Sequence, residues 1–323
     1  MGLASGHVEA RIVQSAVELN IFDALEPRPL SAAAAAAKLQ LDEQAFELLV
    51  NALAALGLLH KLDNEFALTD ISRRHLVRSS PHYVGGMIRF DAMLWRDWEK
   101  LPEAIRTGLP TRSPNMYQAD PRETQVFIEA MDSLVKARGD TEVLAQVIDW
   151  SNIGTLLDVG SGPATYPIAL CRKFPQLQAA IIDLPATLKI TEGFVDAANL
   201  SARIRLIAAD YRRDPIPGKY DAIFLSNIIH GENFARNAAL MGKLAANLNP
   251  SGRLIIKDHI LGVNRAEPAV GAIFSLLMLL TTDGGRCYSF AEIEGWMNQA
   301  GLNRVERVDL PPPMTSSLVI ASS

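Results

Sequence analysis

The sequence has 323 residues, 49% of them hydrophobic and 21% charged, with a formal net charge of −5. That balance supplies apolar material for two globular domains and gives no electrostatic case for a nucleic-acid partner. The two cysteines, Cys171 and Cys287, lie far apart and offer neither a metal spacing nor a disulfide framework. Met1 to Gly6 show no basic region leading into an apolar stretch, so no signal peptide is expected. The most apolar run, Ala269 to Leu280, is too short to span a bilayer and reads as a buried helix. A reduced, cytoplasmic setting is expected.

Val8 to Ala24 carries Ile12, Val13, Ala16, Val17, Leu19 and Ile21 at helical spacing, until Pro27 and Pro29 interrupt it. Ser31 is an N-cap for the alanine-rich helix to Leu39, and Asp42 opens another over Glu43 to Leu56, stopped by Gly57. Leu58 to Thr69, with Asp63-Asn64 in its middle, reads as a hairpin. Three helices and a hairpin make the winged-helix order, which raises the alternative of a DNA-binding regulator. The charges oppose it. Acids outnumber bases through Ser80, and the would-be recognition helix, Asp42 to Leu56, has no Lys or Arg to neutralise phosphate. Its apolar residues suggest burial against a partner instead.

A helical stretch is expected from His82 to Gly108, with Phe90, Met93, Leu94, Trp95 and Trp98 packing among helices. Pro110 to Pro121 reads as an exposed loop. From Thr155 onward, strands and helices alternate. The strands are Leu156–Val159, Ala179–Asp183, Ile204–Ala208, Tyr220–Leu225, Arg253–Ile260, Val305–Asp309 and Ser317–Ala321. Alternation of this kind predicts an α/β domain with a mostly parallel sheet, and the short link through Pro311 to Pro313 makes the last two strands antiparallel.

The first strand runs into Asp158-Val-Gly160-Ser161-Gly162, and the next two end on Asp183 and Asp210. Carboxylates at three strand ends line one crevice. A dinucleotide fingerprint would need glycine or alanine where Thr165 stands, so a nicotinamide cofactor does not fit. No Gly-Lys-Ser/Thr follows, so a triphosphate does not fit either. Asp183 suits a ribose diol, and Asp210 could accept from an exocyclic amine. The expected ligand is an adenosine derivative with little negative charge.

These segments, with Asp183-Leu184-Pro185, Ala209-Asp210-Tyr211 and His230 in order, resemble the S-adenosylmethionine-dependent O-methyltransferases of the plant caffeate and bacterial polyketide type. The resemblance covers nearly the whole chain. It implies a winged-helix homodimerisation domain over residues 1–100 and a Rossmann-like methyltransferase domain over 101–323, with a seven-stranded sheet. It implies a cofactor set of Asp158, Gly160, Ser161, Gly162, Asp183, Leu184, Asp210, Tyr211 and Ser226. It also implies that Phe127, Met131 and Met278 cover an aromatic acceptor, and that neither a metal nor a membrane takes part.

A phenolic acceptor, with a pKa of roughly 10, needs a base. His230, after the fourth strand, is the candidate, oriented by Asp258 where the family carries glutamate. The chain departs from the family pattern: His230-Gly231-Glu232 replaces His-Asp-Trp, and Arg286-Cys287 follows Gly284-Gly285 where a glutamate is common. Either Glu232 or Asp258 compensates, or proximity alone drives transfer. Arg286 could pair an acidic group of the substrate or cap its loop. O-methylation leads; carbon methylation or non-methylating chemistry on the same fold, such as hydroxylation or decarboxylation, is the alternative. A winged-helix binding protein with a vestigial cofactor fold comes third.

Overall fold

The computed structural model describes residues 2–115 and 117–323. The chain forms two compact units, one of Met1–Trp95 with Glu129–Arg138 and one of Arg96–Ile128 with Gly139–Ser323.

In the first unit, α1 (Gly2–Glu18) and α2 (Ile21–Leu25) replace the single helix expected over Val8 to Ala24. The break is at Asn20, which takes the left-handed conformation at φ 56°. Asparagine tolerates that region, and here its side-chain oxygen accepts from Arg78 at 3.1 Å and Arg89 at 2.7 Å. Strand β1 (Leu30–Ser31) leads into α3 (Ala32–Leu39), capped by Ser31 Oγ accepting from the Ala34 amide at 3.2 Å. Asp42 caps α4 (Glu43–Ala55) in the same way, at 2.8 Å from the Ala45 amide. The expected hairpin forms from β2 (Leu59–Leu62) and β3 (Glu65–Leu68), and β1 pairs on the far side of β3. A two-residue strand leaves no periodic signal, so β1 was not legible. Then come α5 (Asp70–His75) and α6 (Gly85–Met93). Ile21, Phe22, Phe46, Val50, Leu53 and Phe66 centre this core.

The helical stretch expected to Gly108 is interrupted: after α6 come α7 (Trp95–Glu99) and α8 (Leu101–Thr107). Pro102 sits in the first turn of α8, where its missing N–H costs nothing, so it restarts a helix at that point. Helix α9 (Pro121–Arg138) contributes residues to both units.

The second unit continues with α10 (Asp140–Val147), β4 (Thr155–Val159), α11 (Thr165–Lys173), β5 (Gln178–Asp183), α12 (Pro185–Ala197), β6 (Ile204–Ala208) and β7 (Tyr220–Ser226). A short 3-10 turn, Ile229–Gly231, precedes α13 (Phe234–Ala245). Then follow β8 (Leu248–Asp258), α14 (Ala269–Thr281), α15 (Phe290–Gln299), β9 (Arg304–Asp309) and β10 (Ser317–Ser322). The sheet order is β6-β5-β4-β7-β8-β10-β9. β4, β5, β6, β7 and β8 run parallel, while β10 is antiparallel to both its neighbours. The order reverses between β4 and β7, so a crevice opens beyond their carboxyl ends. Leu157, Val159, Ile182, Leu225, Ile256 and Trp296 pack into the core that holds these strands flat against their helices.

Candidate active site

The turn after β4 is built from backbone that favours glycine. Gly160 lies at φ 67° and Gly162 at φ 59°. A Cβ on Gly160 would meet Ile228 Cδ1 at 2.4 Å, so the Ile228 side chain would have to turn aside, on top of the strain that the positive φ already imposes. Ser161 Oγ donates to Asp158 Oδ2 at 2.6 Å. Asp183, at the end of β5, reaches across: its Oδ2 accepts from the Gly162 amide at 2.9 Å and its Oδ1 from the Leu184 amide at 2.7 Å. Asp158 with Ser161, and Asp183 with Gly162 and Leu184, thus make two hydrogen-bonded groups joined through the Ser161-Gly162 peptide into a cluster around the glycine turn, and the Tyr211 ring stands 3.8 Å from the Cβ position of Gly160.

Both acids of the cluster are held above the ordinary carboxylate range. Burial pushes Asp158 up to about 7, against the pull of the Ser161 hydroxyl and helped by the charge on Asp183. Burial pushes Asp183 up to about 6, against the Gly162 and Leu184 amides and the Thr187 hydroxyl. Neither has an ion-pair partner among the described residues. Other buried acids do: Asp140 pairs with Lys257 at 2.9 Å and Asp97 with Arg112 at 3.4 Å.

Asp210 takes a different posture. Its two carboxylate oxygens accept from Arg212 Nε at 2.7 Å and Nη2 at 2.9 Å. Burial would raise it, but Arg212 holds it below its usual value. Tyr211 OH donates to Glu232 Oε1 at 3.3 Å, and burial pushes the phenol far up. Ser226, at the end of β7, is half-buried and takes a long hydrogen bond from Asn227 Nδ2 at 3.4 Å.

His230 sits in the 3-10 turn after β7, 8% exposed, with Nδ1 2.8 Å from Asp258 Oδ1 at the end of β8. Asp258 also accepts from the His259 amide at 2.7 Å. Burial would raise the Asp258 carboxyl, but the imidazole of His230 and then His259 hold it below its ordinary value. An ionised carboxylate only accepts, so Nδ1 carries a proton, and whenever the ring is neutral Nε2 keeps a lone pair. Glu232 points elsewhere, toward Tyr211 and Arg236 (3.8 Å), so Asp258 is the carboxylate that meets the imidazole. The glycine pair supports this turn. A Cβ on Gly285 would lie 2.4 Å from the His230 carbonyl oxygen. Arg286 does not stand free: its Nη2 donates to Glu292 Oε1 at 2.7 Å. Cys287 is buried, and burial pushes its thiol up to about 12.

Of the expected acceptor residues, Met278 is buried on α14 and Phe127 stacks on Tyr117 with ring centroids 4.8 Å apart. Both lie in the second unit, whereas Met131 belongs to the first. Sequence reasoning passed over Phe274, one helical turn before Met278, whose ring meets that of His230 edge-on at 4.7 Å. Its signal was the i, i+4 spacing. Lys257 was also passed over. It is 1% exposed, and Tyr166 OH donates to the same Asp140 oxygen that pairs with it, at 3.2 Å. A lysine inside the apolar run Leu254-Ile-Ile-Lys257 was the visible clue.

Residues 98–303 match the O-methyltransferase domain and residues 1–78 the O-methyltransferase dimerisation domain. The chain is 30% identical over 325 residues to a 3-hydroxy-5-methyl-1-naphthoate 3-O-methyltransferase of Streptomyces sahachiroi, covering 98% of this chain and 92% of that one. It is 30% identical over 315 residues to the tetracenomycin polyketide synthesis 8-O-methyl transferase TcmO of Streptomyces glaucescens, covering 96% and 92%. A solved structure of PigF with SAH shares the fold at a TM-score of 0.92 and 24% identity, over 100% of this chain and 98% of that one.

Proposed function

We propose, for a chain that belongs to the O-methyltransferase family, that its acceptor is a bulky hydroxylated aromatic molecule and that His230 is the general base. The enzyme is an S-adenosyl-L-methionine-dependent methyltransferase of the secondary-metabolite type. The residues present fit that cofactor: two buried acids without a cation, Asp158 and Asp183, flank a bare-backbone turn. A buried charge calls for a partner, and a positively charged nucleoside supplies one. We assign the cofactor to Asp158, Gly160, Ser161, Gly162, Asp183, Leu184, Tyr211 and Ser226, and give Asp210 a place at the base edge, where Arg212 competes for it.

The bound cofactor supplies an electrophilic methyl group on sulfur. The chain's own residues do the rest. Phe127 and Met278 hold an aromatic ring by apolar contact, and Phe274 steadies the imidazole. Asp258 fixes the tautomer of His230, whose Nε2 takes the acceptor's hydroxyl proton as transfer proceeds. The observation that carries this reading is the 2.8 Å contact between His230 Nδ1 and an Asp258 held ionised. The dimerisation domain matched over residues 1–78 supports a homodimer; we assign dimerisation to residues 1–100 and transfer to 101–323.

The test is incubation with S-adenosylmethionine and a panel of hydroxynaphthoates and polycyclic phenols, read by product mass and fragment position. Gain of one methyl on oxygen is expected. A methyl on carbon, an inserted oxygen or a lost carbon dioxide would replace the O-methyl reading with its alternative.

A further inference from the structure

Gly231-Glu232 is where the chain departs from its family pattern, and the structure holds Glu232 from several sides. Its backbone closes the 3-10 turn that carries His230. The Glu232 carbonyl accepts from Tyr288 OH at 2.6 Å and from Asn237 Nδ2 at 3.3 Å. Its Oε1 accepts from Tyr211 OH at 3.3 Å, and the ring of that tyrosine lies against the glycine turn. The residue is 3% exposed, yet Oε2 has no hydrogen-bond partner among the described residues. Arg236 Nη1 stands 3.8 Å from Oε2, beyond hydrogen-bond length, while Nη2 of the same guanidinium donates to Asp283 at 2.7 Å. Burial raises the Glu232 carboxyl, against the pull of the Arg212 and Arg236 charges. A buried carboxylate oxygen to which nothing donates is costly, so it calls for a donor.

Glu232 lines a cavity of about 370 Å³ together with Tyr211, Arg212, Arg236 and Lys243. The cations there are engaged: Arg212 with Asp210, Arg236 with Asp283, and Lys243 Nζ with the Tyr211 carbonyl at 2.8 Å. Arg213, also in the lining, is exposed to solvent. Asp210 has little capacity left. A carboxylate offers about four acceptor positions, and Arg212 fills three of them through its amide, Nε and Nη2. The open acceptor beside the tyrosine of the cofactor turn is therefore Glu232 Oε2. We propose that Glu232 is a cofactor-binding residue whose Oε2 accepts a hydrogen bond from the exocyclic amine of adenine, the role that Arg212 takes from Asp210. This rests on the cofactor assignment above.

A base preference follows. Hypoxanthine carries an oxo group where adenine carries the amine. That oxygen only accepts, and it would face a carboxylate oxygen that also only accepts. Glu232→Gln inverts the match. Tyr211 OH goes on donating to the amide oxygen, so the amide nitrogen takes the Oε2 position and donates to the oxo group.

Calorimetric titration of the full chain at about pH 8 tests this with S-adenosylhomocysteine and its oxo analogue, S-inosylhomocysteine, on wild type, Glu232→Gln and Glu232→Asp. Wild type is expected to favour the amine by about tenfold or more. Glu232→Gln should bring the two affinities within about twofold or reverse their order. Glu232→Asp keeps the charge but draws the oxygen back, and should narrow the preference. A wild-type preference retained in a folded Glu232→Gln overturns the proposal. Should the glutamine variant not fold, an unchanged preference in Glu232→Asp overturns it instead. Wild type that binds both ligands equally sinks this proposal alone, whereas wild type that binds neither removes the cofactor assignment itself.

Discussion

His230 and Asp258 act through one hydrogen bond, so their substitutions should differ in kind. His230→Ala removes the base and should lower kcat by about two to four orders of magnitude, with cofactor affinity measured by calorimetry unchanged. Wild-type turnover in that variant removes His230 from the mechanism. Asp258→Asn keeps the shape but can donate to Nδ1 and so favour the wrong tautomer. It should lower kcat by about two orders while KM for the acceptor stays near wild type. Asp158 offers a test of stability. Its folded pKa of about 7 stands above the unfolded value, so ionising it in place costs stability as pH rises from the unfolded pKa through 7. Asp158→Asn should therefore raise the melting temperature of the ligand-free protein most at pH 8, where wild type bears the buried charge, and by less at pH 5, where the cost is only partly developed. Equal shifts at both pH values would mean that the folded pKa of Asp158 is not raised above its unfolded value.

At the scale of elements, the turns that bring strands β7 and β8 to the site are packed without slack. Gly285→Ala would force a Cβ to within 2.4 Å of the His230 carbonyl and 2.5 Å of Thr282 Oγ1. It should destabilise the fold by about 1–3 kcal/mol and lower kcat, read by denaturant melts and turnover together. Lys257→Met strips a buried Asp140 of its cation across the contact between β8 and α10, and should cost about 3–5 kcal/mol. The strands that bear Asp158 and Asp183 were legible because continuous apolar runs closed by an acid mark buried parallel strands. The caps at Ser31 and Asp42 were legible for a local reason, a side-chain oxygen three residues before an amide. What stayed hidden depends on tertiary contact. Asn20 breaks a helix because Arg78 and Arg89 arrive from elsewhere in the chain. The direction of Glu232 is set by the 3-10 turn that carries His230, which the sequence His-Gly-Glu does not announce. Asp210 read as an open acceptor, yet Arg212 folds back on it from two residues away.

For the whole molecule, the dimerisation domain leads to a mass twice that of a single chain by light scattering at micromolar concentration. A monomer at that concentration would leave the domain's family role unfilled in this protein. Among the described residues, no helix is long and apolar enough to cross a membrane. The sheet carries a further implication for how the enzyme is made. β10 is last of the seven strands in sequence, yet it lies inside the sheet, pairing Ser317 with Asp258 on one side and Asp309 on the other. Until Ser317 to Ser322 arrive, the strand that orients the imidazole has an open flank, and β9 has nothing to dock on. Synthesis must therefore run past the whole cofactor crevice before that crevice can become rigid, and a nascent chain stalled short of Ser317 should remain protease-sensitive along β8 and unable to retain its ligand.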